Sequence, residues 1–205
     1  METIYWRDKE HPNGYRNVEE FEHAFKPLCR EHLAQGRALA FAFIVFDFDH
    51  AEVRKVVQDE DYWDTLDHIS GHYLTVFSFH LPSRRKSRLH QPNKPLPDTN
   101  QFFERQFGFS LTGSRPRLLF FQVDGKDTEP YFYELWADSV ENVFHEIREA
   151  LNDAVQSLKQ FQPENRGNTA GSLNQIKGAL MQRKLGRNVR ATIKAAASIK
   201  DFLPS

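Results

Sequence analysis

Asp47, Asp49 and His50 are the residues whose types and spacing come nearest to a reactive site. They follow the apolar run ALAFAFIVF directly, in the segment FDFDHAE. Carboxylate oxygens and imidazole nitrogens bind divalent metals, so this segment could supply three ligands. The spacing lacks the pattern of a zincin or a zinc finger. We therefore expect no metal site and no cofactor.

The same segment resembles the nucleophile motif of haloacid-dehalogenase-type phosphatases, in which an apolar strand ends in Asp-x-Asp. The resemblance implies that Asp47 attacks phosphorus and Asp49 acts as general acid beside a magnesium ion. Ser78 and the pair Asp124 and Asp127 would take the other family roles. However, His-Ala-Glu stands where that family has a small turn residue and Thr or Val. The simpler interpretation makes Asp49 a helix N-cap, and a metal-dependent phosphatase-like hydrolase remains the second alternative.

The single cysteine and the histidines add no further catalytic pattern. Cys29 has no second cysteine, which excludes an intramolecular disulfide and a cysteine-rich zinc site. His68 and His72 are four residues apart, but Gly71 between them is expected to end a helix. One helical face is therefore not expected to present both imidazoles. We expect a binding protein rather than an enzyme.

Composition and terminal sequence point to a cytoplasmic protein. The net charge is −1, so the overall charge indicates no partner. The N-terminal stretch METIYWRDKEHPNGYRN is polar and unlike a signal peptide. The longest apolar run, ALAFAFIVF, is too short to span a bilayer.

Basic residues concentrate in two segments, the loop SRRKSRLHQPNK and the C-terminal tail. Such clusters suggest nucleic acid, an anionic membrane surface or the chain's own acidic body as their partner. A nucleic-acid-associated function is the first alternative, because cationic side chains can clamp phosphates. It would use Arg84, Arg85, Lys86, Arg88, Arg183, Arg187, Arg190 and Lys194.

The tail also has the pattern of an amphipathic helix. At 100° per residue, its apolar side chains gather on one side and its arginines on the opposite side. A helix of this kind can dock on its own domain or on a partner. We expect docking on a protein partner or self-association into an oligomer, through Leu185, Val189, Ile193 and Ile199.

Hydrophobic periodicity predicts the element order α-β-α-β-α-β-β-α, followed by the tail helix. Asn17, with Glu20 three residues on, has the spacing of a helix N-cap. The run RALAFAFIVFDF predicts a strand buried on both faces. One helix ending at Gly71 and a second, parallel strand then complete a βαβ unit. Asp138 and Glu141 are expected to cap the helix with the clearest apolar stripe, DSVENVFHEIREALNDAVQSLKQF.

The stretch SRPRLLFFQVDGKD places a proline before a strand and an Asp-Gly turn after it. With the element order, it resembles the thioredoxin-like fold over residues 17–162. That resemblance implies a mixed four-stranded α/β sheet flanked by helices, with the hairpin antiparallel to the first strand. It also makes Pro116 a fold marker, with a cis Arg115–Pro116 bond. FDFDHAEV has no cysteine where redox-active members carry Cys-x-x-Cys, which implies a non-redox member.

Three segments follow from these patterns. Residues 1–162 are predicted to form the thioredoxin-like domain, 163–172 a linker, and 173–205 a basic amphipathic helix. The leading functional hypothesis is a non-catalytic binding or assembly module that acts through protein–protein contacts. The C-terminal helix is its docking element.

Overall fold

The computed structural model describes residues 1–47, 50–80, 99–111, 115–123, 129–136, 138–160 and 168–200, with side chains described to 187 in the last range. The described residues form one mixed sheet flanked by helices. The strands are β1 (Glu2–Ile4), β2 (Ala40–Val45), β3 (Leu74–Phe79), β4 (Arg117–Phe121) and β5 (Tyr131–Glu134). The helices are α1 (Val18–Ala34), α2 (Ala51–Gln58), α3 (Glu60–Ser70), α4 (Thr99–Phe107), α5 (Val140–Lys159) and α6 (Thr169–Lys200).

The sheet has five strands in the order β1-β3-β2-β4-β5. Strands β1, β3 and β2 are parallel, whereas β4 is antiparallel to β2 and β5 is antiparallel to β4. The predicted parallel pairing of β2 and β3 and the predicted β4–β5 hairpin are confirmed. The predicted count of four strands is wrong, because Glu2–Ile4 pairs with β3 at the sheet edge. Three residues are too few for an alternating pattern to be recognised.

The core has two layers of different composition. All six residues of β2 are buried, which confirms the expectation for RALAFAFIVFDF. On the side of α1 and α4 the core is largely aromatic, with Phe25, Phe43 and Phe102 packed ring to ring. On the side of α2, α3, α5 and α6 it is largely aliphatic. Burial on both faces explains why this sequence is continuously apolar.

Side-chain hydrogen bonds cap several helices, and two of the predicted helix ends are wrong. Asn17 accepts a hydrogen bond from the Glu20 amide at 2.9 Å, which confirms the predicted cap. The single helix predicted to end at Gly71 is instead two helices, because the extended backbone of Asp59 (φ −88°, ψ 122°) interrupts it and its carboxylate caps α3. Ser139, not Asp138, caps α5 by accepting from the backbone N–H of the third helical residue.

The peptide bond between Arg115 and Pro116 is trans, since no bond among the described residues is cis. The cis prediction for Pro116 is therefore wrong. The carbonyl of Pro116 accepts a hydrogen bond from the Leu135 amide at 2.8 Å, which extends the β4–β5 ladder by one residue. A proline at the mouth of a strand needs no cis bond, because that position tolerates the missing N–H.

Helix α6 begins at Thr169, within the predicted linker and before the predicted start at 173. The predicted basic loop and the Asp-Gly turn lie outside the described residues. No helix in the described part of the chain is long and apolar enough to cross a membrane.

Candidate functional site

The first part of α6 is built into the core of the domain. Leu173, Ile176 and Leu180 are buried and pack with the aliphatic layer. At the start of the helix, the Gln122 side-chain amide donates to the Ser172 hydroxyl and to the Leu39 carbonyl, both at 2.7 Å. These contacts tie α6 to the ends of β2 and β4. The tail helix could dock on its own domain or on a partner, and this first part of it docks on its own domain.

The two described arginines of the predicted nucleic-acid stripe pair with carboxylates of α5. Arg183 Nη1 lies 3.0 Å from Asp153 Oδ2 and 3.5 Å from Glu149 Oε2. One turn later, Arg187 pairs with Glu146. Among the candidate partners of the basic tail, these two residues bind the chain's own acidic surface. Their charges are thereby largely neutralised.

Tyr133 joins this ion-pair network to the sheet. Its hydroxyl donates to Glu146 Oε2 at 3.4 Å, and the Arg187 guanidinium lies 5.3 Å from its ring centroid. Burial of the ring, followed by the nearby Glu146 carboxylate, raises the pKa of the Tyr133 hydroxyl. Tyr133 is therefore a neutral hydrogen-bond donor at the junction of β5, α5 and α6.

A cleft of about 590 Å³ opens between β5, the first half of α5 and the middle of α6. All four residues of β5, Tyr131–Glu134, line it, together with Trp136. Consecutive strand residues point to opposite faces of a sheet. Lining by four in a row shows that the cleft runs along the free edge of β5.

The mouth of this cleft combines an exposed aromatic ring with cations. Trp136 is 69% exposed to solvent, which is unusual for so large an apolar ring. Arg115 and Lys184 also line the cleft, are exposed, and form no ion pair with any described residue. Aromatic and arginine side chains are enriched in protein-binding surfaces.

The outer side of α6 carries a second exposed apolar surface. Met181 is 50% exposed and Leu185, one turn later, is 63% exposed. The exposure of Leu185 is consistent with the predicted partner-binding stripe. The side chains of Val189, Ile193 and Ile199 lie outside the described residues, so their predicted role stays a prediction.

The alternative phosphatase site has little geometric support. Asp47 does not line the cleft beside β5, and its backbone carbonyl accepts a hydrogen bond from the His50 amide at 2.9 Å. Ser78 is buried in β3. The N-cap of α2 is His50, without a side-chain hydrogen bond, and the predicted cap Asp49 lies outside the described residues. Asp124 and Asp127 lie outside them as well.

The nucleic-acid alternative remains a prediction. The loop residues Arg84, Arg85, Lys86 and Arg88, and the side chains of Arg190 and Lys194, lie outside the described residues. The predicted stripe loses two of its cations to internal ion pairs, those of Arg183 and Arg187.

A polar triad, in which His32 and Thr75 are buried and Glu2 is partly exposed, went unpredicted because its members are far apart in sequence. His32 Nδ1 lies 2.9 Å from Thr75 Oγ1, and His32 Nε2 lies 3.6 Å from Glu2 Oε1. The order hydroxyl, imidazole, carboxylate is that of a catalytic triad. Thr75 is buried as the second residue of β3, however, and does not line the cleft beside β5. The triad is therefore a structural link between β1, α1 and β3.

No group of three or more His, Cys, Asp or Glu side chains suited to a metal ion occurs among the described residues. Comparisons with protein-family models, curated proteins and solved structures gave no significant match.

Proposed function

We propose that this protein is a non-redox, thioredoxin-like binding or assembly module that uses α6 as its docking element. The strand pairing supports the fold assignment: β2 and β3 are parallel, and the β4–β5 hairpin adds antiparallel to β2. The placement of α1 and α4 on one face and of α2, α3 and α5 on the other agrees with it. The chain's one cysteine, Cys29, is buried on α1 and does not lie in the segment that joins β2 to α2.

The observation that carries the functional proposal is the length of α6, which packs on the domain through Leu173, Ile176 and Leu180 and continues past the start of α5. Arg187, the last residue of α6 whose side chain is described, faces Glu146 of α5. Because the two helices are antiparallel, α5 continues about 9 Å beyond this contact, whereas α6 continues about 20 Å to Lys200. The end of α6 therefore extends roughly 10 Å past the start of α5.

The sequence predicts that the exposed apolar residues of α6 continue as a stripe in the direction of this extension. Met181 and Leu185 are exposed, and Val189 and Ile193 follow at the same four-residue spacing. Residues four apart lie on one side of a helix. An apolar stripe of this kind is what a helix presents to the groove of a partner or to a second copy.

Replacement of Leu185 with Glu tests the proposal in the full chain. A charge at the centre of the stripe should abolish oligomerisation, as measured by light scattering, and should release a co-purifying partner. Gln175→Glu is the matched control, because it adds the same charge at an exposed position of the same helix. If both variants behave like the unaltered protein, the docking role of α6 is wrong. Equal circular dichroism of the three proteins would show that folding is unaffected.

A further inference from the structure

The outer edge of β5 has no backbone partner among the described residues. This strand is the last in the sheet, and its only described strand neighbour is β4. The Leu135 amide donates to the Pro116 carbonyl. Because alternate residues of an antiparallel strand point their peptide groups toward and away from the neighbour, Phe132 and Glu134 direct N–H and C=O groups outward.

Beyond its short length of four residues, β5 has little protection against pairing with another chain. Edge strands are commonly guarded by lysines, prolines or bulges that prevent pairing with another chain. β5 contains no lysine, and the single proline, Pro130, precedes it. Proline at that position blocks extension in one direction but leaves the outward groups of Phe132 and Glu134 available.

The side chains around the edge indicate which extended segment it would accept. Glu146 and Glu149 at the cleft wall are already paired with Arg187 and Arg183. That pairing leaves the exposed cations of the cleft without a carboxylate from the described residues, namely Arg115 and Lys184. The Arg117 guanidinium instead lies 5.4 Å from the centroid of the Phe132 ring.

The other two carboxylates that line the cleft, those of Glu134 and Asp138, form no ion pair with Arg115 or Lys184 among the described residues. Glu134 lies opposite Arg117 in the strand register, and Asp138 accepts a hydrogen bond from the side chain of Asn142 at the start of α5. The cations Arg115 and Lys184 therefore remain for an incoming anionic group. The exposed Trp136 ring offers an apolar anchor at the same end of the strand.

We propose that an extended, acidic segment of a partner protein pairs with β5 as a sixth strand. Its backbone bonds to the outward groups of Phe132 and Glu134, and its carboxylates lie near Arg115 and Lys184. An apolar residue of the segment covers Trp136. Recognition by strand addition takes affinity from backbone hydrogen bonds and specificity from the alternating side chains. This site is separate from the outer stripe of α6 and does not depend on it.

A display library of random twelve-residue peptides, selected on the full-length protein, provides the probe. The selected peptides should be rich in Asp and Glu and should change the fluorescence of Trp136 on binding. Phe132→Pro removes one outward N–H without touching the β4 ladder, and it should weaken binding by about tenfold, the effect of one lost hydrogen bond. Arg115→Glu and Lys184→Glu should weaken binding as well. Lys9→Glu, at an exposed site in the N-terminal loop, should not.

N-methylation of alternate peptide amides tests the same bonds with the protein unchanged. One of the two methylation registers should abolish binding, because a sixth strand uses every second amide. The proposal is overturned if no peptide is selected, if both registers bind equally, or if acidic residues are not enriched. A dimer dissolved by Phe132→Pro, without peptide binding, would identify a second copy as the occupant and also overturn it. Leu185→Glu should leave peptide affinity unchanged, which separates this site from the docking role of α6.

Discussion

At the residue scale, the imidazoles of His32, which is buried, and His80, which is half-buried, are groups of the kind that titrate near neutral pH. Burial lowers the pKa of His32, and the nearby Glu2 carboxylate opposes that effect. Burial also lowers the pKa of His80, with a further contribution from His11, whose ring centroid lies 5.2 Å away. The folded protein therefore takes up protons at these sites less readily than the unfolded chain.

This difference predicts that acid destabilises the protein in the histidine range. The stabilisation is fully present above the unfolded histidine pKa of about 6.5 and is lost as the pH falls through the lowered folded values. The free energy of unfolding in urea should therefore decrease from pH 7.5 to pH 5, by at most about 1.4 kcal/mol per pH unit for each histidine.

His32→Gln should reduce this pH dependence, whereas His23→Gln, at an exposed position of the same helix, should leave it unchanged. If the free energy of unfolding depends on pH equally in the His32→Gln variant and in the unaltered protein, protonation of His32 is not the cause of the acid destabilisation.

The partners of the tail arginines could not be predicted from the sequence. Charge counting identified an acidic body and a basic tail, and it included their mutual attraction among three possibilities. It could not choose, because the pairing of Arg183 with Asp153 depends on α6 lying antiparallel beside α5. Likewise, the contact of His32 with Thr75 joins residues 43 positions apart and leaves no local pattern.

At the element scale, helices with a strong apolar period were predicted correctly, whereas a helix break caused by a single residue was missed. The burial of Ile147, Leu151 and Leu158 on α5 follows directly from their spacing. The break at Asp59 was missed because the apolar period continues through it, although Asp59 is a good N-cap for α3. The start of α6 was placed too late because Gly171 and Ser172 have the composition of a linker, while tertiary contacts hold them in a helix.

The ion pair between Arg187 and Glu146 should contribute measurably to the attachment of α6. Both side chains are partly buried, and Tyr133 contacts both partners. Arg187→Glu should lower the free energy of unfolding by about 1 kcal/mol, and the exchanged pair Arg187→Glu with Glu146→Arg should recover part of it. Urea unfolding measures both effects.

Lys184→Glu is the control for that cycle, because Lys184 is exposed and forms no ion pair with a described residue. Its unfolding free energy should change little. If Arg187→Glu is as stable as this control, the ion pair does not help to hold α6 on α5.

At the scale of the whole molecule, the sheet beyond its first strand was predictable and the attachments at both ends of the chain were not. The βαβ unit and the hairpin follow from two buried apolar runs and an Asp-Gly turn. The pairing of Glu2–Ile4 with β3 and the burial of Leu173, Ile176 and Leu180 depend on long-range packing. Consequently β1 and the first part of α6 both pack against the sheet domain, while the predicted boundary at 162 stays a prediction.

We propose that α6 consists of an anchor up to Arg187 and a docking end beyond it. Removal of residues 188–205 tests this division most directly, because the buried anchor residues and both described arginine pairs remain. The shortened chain should unfold cooperatively at close to the melting temperature of the full chain, yet it should lose its oligomeric state or its co-purifying partner. A shortened chain that keeps the same mass in light scattering and the same partners would contradict the proposed function.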